Sequence, residues 1–215
     1  MYSLDDPAHS DIIKEIFSTR VLSLLGNVKL DYIISKIKIS SLQNILEIGT
    51  FAGGTAYILA KNFPNKKIYT IDINKFDEYF KQFDHYRKIL GNVKNLYPEI
   101  EIDVDSIIKI QNIYKSLCPN THFLQGDVSV VNFNEIDCVI IDGDHISDAL
   151  LKDLNYTYNN MKQGLIFVDD CVYAHIAKTC KEFCRMHNLD YEFSVYGSYN
   201  NNPFKGFDIC MIKKN

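Results

Sequence analysis

The stretch Asn44–Thr55, NILEIGTFAGGT, constrains this chain more than any other. A short apolar run of Ile45, Leu46 and Ile48 ends in a glycine-rich turn, and a helical pattern resumes at Ala56. This reads as a buried parallel strand that delivers Glu47, Gly49, Gly53 and Gly54 to its carboxyl end, where open α/β sheets bind their ligands. Glycine removes a Cβ where backbone must approach a ligand, and the following helix N-terminus supplies N–H donors. The plainer alternative is a tight strand-to-helix turn that binds nothing.

The spacing Glu-x-Gly-x-x-x-Gly in this stretch resembles the first motif of class I S-adenosylmethionine-dependent methyltransferases. A dinucleotide fingerprint has glycine where Glu47 stands, and a carboxylate repels pyrophosphate while tolerating the cationic methionine end of S-adenosylmethionine. A nicotinamide oxidoreductase is therefore disfavoured. The resemblance spans roughly residues 44–213 and implies an α/β, Rossmann-like doubly wound sheet of about seven strands, the last antiparallel, with helices on both faces.

With 215 residues, 47% of them apolar, the chain can bury one sizeable core, and a single domain over 1–215 is expected. The net charge of -4 comes with no basic block, so nucleic acid lacks its electrostatic footprint. Charges interrupt the first twenty residues, which fits neither a signal peptide nor a membrane span; a soluble, cytoplasmic protein is the expectation. The six cysteines form no Cys-x-x-Cys pair and read as reduced and buried. A zinc site from Cys171, His175, Cys180, Cys184 and His187 is the less favoured reading of their spacing.

Helical periodicity runs from an Asp6–Pro7 start through Ile12, Ile13, Ile16, Phe17, Val21, Leu24 and Leu25, and a second helix is expected over Lys29–Ile37. These N-terminal helices, 6–38, can pack on the sheet, cover the ligand pocket or form a homodimer contact. A crossover helix at Ala56–Phe63 precedes a second strand, Lys67–Ile73. Its terminal acid, Asp72, stands where a carboxylate can accept from ribose hydroxyls. Phe76, Tyr79, Phe80, Phe83 and Leu90 suggest a helical insertion at about 75–100, either core or an acceptor wall, separated by Gly91–Pro98 from a helix carrying Ile107, Ile108, Ile113, Tyr114 and Leu117.

A third strand, His122–Gln125, leads to Asp127, which matches the adenine-binding acid of the family. The resemblance implies a donor site comprising Glu47, Gly49, Thr50, Phe51, Gly53, Thr55, Asp72, Ile73, Asp127 and Asp142. The sequences IDCVIIDGDH, 136–145, and GLIFVDD, 164–170, read as adjacent strands that set Asp142, Asp169 and Asp170 beside His145. Three carboxylates in a partly dry site repel unless a proton or cation intervenes. Hard oxygen ligands suit Mg²⁺.

This tandem pattern is similar to metal-dependent O-methyltransferases such as catechol O-methyltransferase, and closer to the macrocin O-methyltransferase-like group, methyltransferase family 24. In the catechol enzymes the metal acids correspond to Asp142 and Asp169, an amide replaces Asp170, and the catalytic lysine falls at His145. The resemblance implies S-adenosylmethionine as donor, Mg²⁺ on Asp142, Asp169 and Asp170, His145 as base with Asp144 orienting it, and a hydroxyl of a sugar, glycoconjugate or natural product as acceptor. Histidine titrates near neutral pH, which suits a base. Metal-independent methylation of nitrogen or carboxylate, and a non-catalytic donor-binding module, are the alternatives. Plain capping of the following helices is the simplest role for Asp144, Asp148 and Asp170. His175, Tyr173 and the closing loop GSYNNNPFKG, 197–206, are further acceptor candidates.

Overall fold

The computed structural model describes residues 1–82, 84–144, 146–195 and 207–215. Asp6 caps a 3₁₀ turn, Pro7–His9, by accepting from Ala8 N–H at 2.9 Å, and α1 (Ser10–Thr19) and α2 (Asn27–Lys38) follow. Then come β1 (Asn44–Ile48), α3 (Gly54–Asn62), β2 (Lys67–Asp72), α4 (Phe76–Gln82), α5 (Asp84–Leu96), α6 (Ser106–Leu117) and β3 (Thr121–Gln125). The chain continues through β4 (Cys138–Ile141), α7 (Ser147–Asn160), β5 (Gly164–Val168), α8 (Ala174–His187), β6 (Asp190–Val195) and β7 (Phe207–Lys214).

Among the described residues the strands form one seven-stranded sheet in the order β3-β2-β1-β4-β5-β7-β6. The first five are parallel, and β7 runs antiparallel between β5 and β6. Period-two alternation sends Ile45 to the face covered by α1, α2, α3 and α6, and Leu46 and Ile48 to the face covered by α7 and α8. Strand order reverses between β1 and β4, and the carboxyl ends of these strands open a crevice where such folds place their ligands. Among the described residues no helix is long and apolar enough to cross a membrane. The described cysteines are all free and buried.

Several expected boundaries move. The N-terminal periodicity outruns its helix: α1 ends at Thr19, and residues 20–26 cross to the crevice instead. Tyr114 OH accepts from Leu22 N–H at 2.8 Å, Tyr97 OH donates to Arg20 O, and Ser23 and Thr55 hydroxyls meet at 2.8 Å. The single insertion helix resolves into α4 and α5, with Phe83 outside the described residues. Gly91 lies within α5 rather than ending a helix; a glycine costs a helix interior about 1 kcal/mol, and packing of Ile89, Leu90 and Val93 on the core offsets it. Ser147 is the first helical residue of α7, not its cap, since the capping position is Ile146.

Candidate active site

A cavity of about 520 Å³ opens at the carboxyl edge of β1, β2, β4 and β5. Its floor is the turn after β1. Gly49 N–H donates to Ile71 O at 2.9 Å, and the φ of Gly49 is +102°, the left-handed region. A Cβ there would lie 2.1 Å from the Asp142 carbonyl oxygen, so only glycine lets the β1 and β4 turns touch. At Gly54 a Cβ would lie 1.8 Å from the Leu22 carbonyl oxygen. That glycine admits the backbone of the N-terminal segment rather than a ligand, and Leu22, Ser23 and Leu24 wall the cavity.

Asp72 closes β2 and faces the cavity with its carboxylate already organised by main chain. Phe51 N–H donates to Oδ2 and Asn74 N–H to Oδ1, both at 2.9 Å. Burial raises its pKa and these amides oppose the rise. Carboxylate oxygens have further lone pairs for hydroxyl donors. Gln111, from α6, donates to Phe51 O and, at 3.2 Å, to Asn74 Oδ1, tying the turn down from behind. Nothing in the local pattern of residue 111 marks this role.

Thr50, Phe51, Thr55 and Ile73 line the cavity as expected, but Glu47 and Gly53 are not among its lining residues. Glu47 is 1% exposed and sits on the α3 face of β1 behind the wall. Thr70 donates to it at 2.5 Å, Thr55 also bonds to it, and Thr50 and Thr70 hydroxyls meet at 2.6 Å. Burial pushes its carboxyl up to about 8 against those hydroxyl bonds. Gly53 is the capping residue just before α3, at a φ of +87°, its absent Cβ facing Phe123.

On the opposite wall Asp127 accepts from Ser129 N–H at 3.1 Å and pairs with Lys152, which holds its carboxyl below the usual range. Asp153, from α7, also lines the cavity, and burial pushes it up to about 6, with Asp127 adding to the rise. Its sequence position in mid-helix gave no indication of this placement.

Asp142, Asp144, Asp169, Asp170 and Tyr173 all line the cavity, with Asp142 close enough to Asp169 and Asp170 to feel their charges, while the charge of Asp144 acts on Asp153. His145 and the loop 197–206 lie outside the described residues. His175 is exposed in the first turn of α8 and is not among the lining residues. Burial, followed by the charges of Asp169, Glu47 and Asp170, raises Asp142 well above the ordinary carboxylate range.

The counter-charge that these acids require comes from Lys29, in the first turn of α2. Its ammonium lies 2.8 Å from Asp169 Oδ1, 3.0 Å from Oδ2 and 3.3 Å from Asp170 Oδ1. The Oδ1 contact is an ion pair with poor hydrogen-bond angles, so the hydrogen bond proper runs to Oδ2. Burial lowers the pKa of Lys29, but Asp169 and Asp170 outweigh it and the net shift is upward, which keeps the cation. Asp169 still rises to about 6, because its burial outweighs Lys29. Among the described residues no three His, Cys, Asp or Glu side chains are arranged to hold a metal ion. As they stand, Asp142, Asp169 and Asp170 do not fit the expected Mg²⁺, since a lysine ammonium already joins two of the three.

The sequence matches no protein-family model and no curated protein. The fold, in contrast, is shared with solved methyltransferases. An O-methyltransferase from Bacillus cereus in complex with SAH superposes with a TM-score of 0.57 at 13% identity, over 98% of this chain and 92% of that one. A TehB-like SAM-dependent methyltransferase from Corynebacterium glutamicum gives 0.51 at 14% identity, over 98% and 100%. A precorrin-6y C5,15-methyltransferase from Geobacter metallireducens gives 0.53 at 13%, over 90% and 92%. Identities this low establish the architecture, a Rossmann-like methyltransferase fold, and leave the chemistry to the site.

Proposed function

We propose that this chain is an S-adenosylmethionine-dependent O-methyltransferase acting on a hydroxyl of a sugar, glycoconjugate or natural product. The observation that carries the reading is the convergence of Gly49–Phe51, Asp72, Asp127 and Asp142, from four separate strand ends, on one cavity. Its lining suits the donor: both Asp72 oxygens are fixed by amides while keeping acceptor capacity for ribose hydroxyls. Asp127 offers an acceptor to the adenine amino group, and Asp142 carboxyl oxygens that accept from the methionine ammonium.

When bound, the donor supplies a sulfonium methyl group that is already activated. The chain's task is then to hold the acceptor oxygen in line and remove its proton. His145 is assigned as the base on its place directly after Asp144, which lines the cavity. Asp169 and Asp170, held by Lys29, border the acceptor end. No step is assigned to Mg²⁺. The surplus of carboxylates there supports one second reading, transfer to the nitrogen of a cationic amine.

Calorimetric titration with S-adenosylhomocysteine tests the donor assignment; a protein that takes up none overturns it. His145→Ala abolishes transfer while leaving donor affinity nearly intact, and full activity in that variant removes histidine from the role.

A further inference from the structure

We propose that Lys29 is a positioning residue that serves as the resident cation of this site, holding Asp169 and Asp170 so that the acceptor end works without a divalent metal. The inference rests on the methyltransferase reading for its purpose, but not for its geometry. Lys29 lies 140 positions before Asp169, on a different layer of the fold, and reaches the sheet edge with its side chain only 20% exposed. A cation in the first turn of a helix opposes the helix dipole, so α2 alone gives no reason for it to lie there. The carboxylates supply the reason: one ammonium touches both oxygens of Asp169 and one of Asp170.

The contact distances, 2.8 to 3.3 Å, are those of an ammonium paired with carboxylates. An octahedral Mg²⁺ would need oxygens near ~2.1 Å and the freedom to bring water or substrate to its open positions. An ammonium and a divalent ion compete for the same carboxylates, since either satisfies their charge. With Lys29 seated, the Asp169–Asp170 pair is pinned and its charge partly neutralised. The acceptor oxygen then meets a fixed carboxylate wall and gives its proton to the base without prior coordination.

The test uses Mn²⁺ alone as the probe, titrated by electron paramagnetic resonance into the full chain saturated with S-adenosylhomocysteine. Wild-type protein and Lys29→Arg, which keeps the cation, are expected to leave Mn²⁺ free. Lys29→Met is expected to take up one Mn²⁺ at least about tenfold more tightly than wild type, because a positive charge has left a set of carboxylates. Adding Asp169→Asn to Lys29→Met abolishes the gain. A purely structural lysine would lower the melting temperature and leave Mn²⁺ uptake unmoved. Two results overturn the proposal: one tight Mn²⁺ in the wild type that Asp169→Asn removes, or folded Lys29→Met with no more uptake than wild type. Lys29→Gln stands in should Lys29→Met fail to fold, and the wild-type titration decides by itself whether a metal displaces the lysine. Failure of wild-type protein to bind S-adenosylhomocysteine, read separately by calorimetry, overturns the methyltransferase reading and leaves the Mn²⁺ result standing.

Discussion

Asp72 and Asp169 each follow or end a parallel strand of one sheet, and each loses water to the protein, yet they are held in different ways. Asp72 is cradled by neutral main-chain amides from its own turn and from the turn after β1. Asp169 is held by a charged side chain from a helix 140 residues away. Amides orient a carboxylate and leave its charge to a ligand. An ammonium orients it and cancels part of that charge. Asp72 therefore faces the cavity with its charge uncancelled by a neighbouring side chain, and Asp169 with its charge partly compensated.

The largest effect on this contrast comes from the contact that joins the two ends. Gly49→Val puts a branched side chain at a φ of +102° against the Asp142 carbonyl. It is expected to cost roughly 3 kcal/mol or more in urea denaturation and to abolish S-adenosylhomocysteine binding; an unmoved midpoint would show that the two turns are not locked through this contact. Next comes the Asp72 carboxylate. Asp72→Ala is expected to weaken S-adenosylhomocysteine by about 2 kcal/mol, some thirtyfold, whereas Asp169→Ala weakens it by less than about threefold. Equal losses in calorimetry would erase the distinction between the ends.

The pH response reads a third buried acid, Glu47, held by hydroxyls. Because the Glu47 carboxyl is raised from 4.5 to about 8 in the fold, its contribution to stability is full below about pH 4.5 and is lost as pH rises through about 8. The loss is on the order of 5 kcal/mol, and Glu47→Gln flattens the melting-temperature profile across that window. A wild-type profile already flat there contradicts a neutral buried Glu47. The smallest effect is at the rim. Lys152→Ala breaks an exposed pair with Asp127 and is expected to leave the urea midpoint nearly where it is.

What could be read from the chain follows the same division. Gly49, Phe51, Asp72, Asp127 and Asp142 are legible because strand ends, turns and their acids are encoded within a few residues of one another. The five parallel strands are legible for the same reason, as short runs that lead into acid or glycine. Glu47 shows the limit of motif reasoning: the motif marks it as important, but only the pleat of β1 decides that it turns toward Thr55 and Thr70 rather than the cavity. Lys29, Gln111 and Asp153 carry no local mark at all. Their roles come from packing one layer on another, and α1 ends early because Gly54 and Tyr114 capture the segment that follows it. The requirement for a positive charge among the acids was sound, while its source was not visible from spacing.

The position of β7 between β5 and β6 bears on how the molecule is made. During synthesis β5 emerges with one edge unpaired, and β6 follows without being able to cover it, since the partner of both is residues 207–214. The nascent chain thus carries an open sheet edge until nearly all of the described sheet has left the ribosome. Closure of that edge, rather than formation of the motif near residue 49, completes the sheet that underlies Asp169 and Asp170.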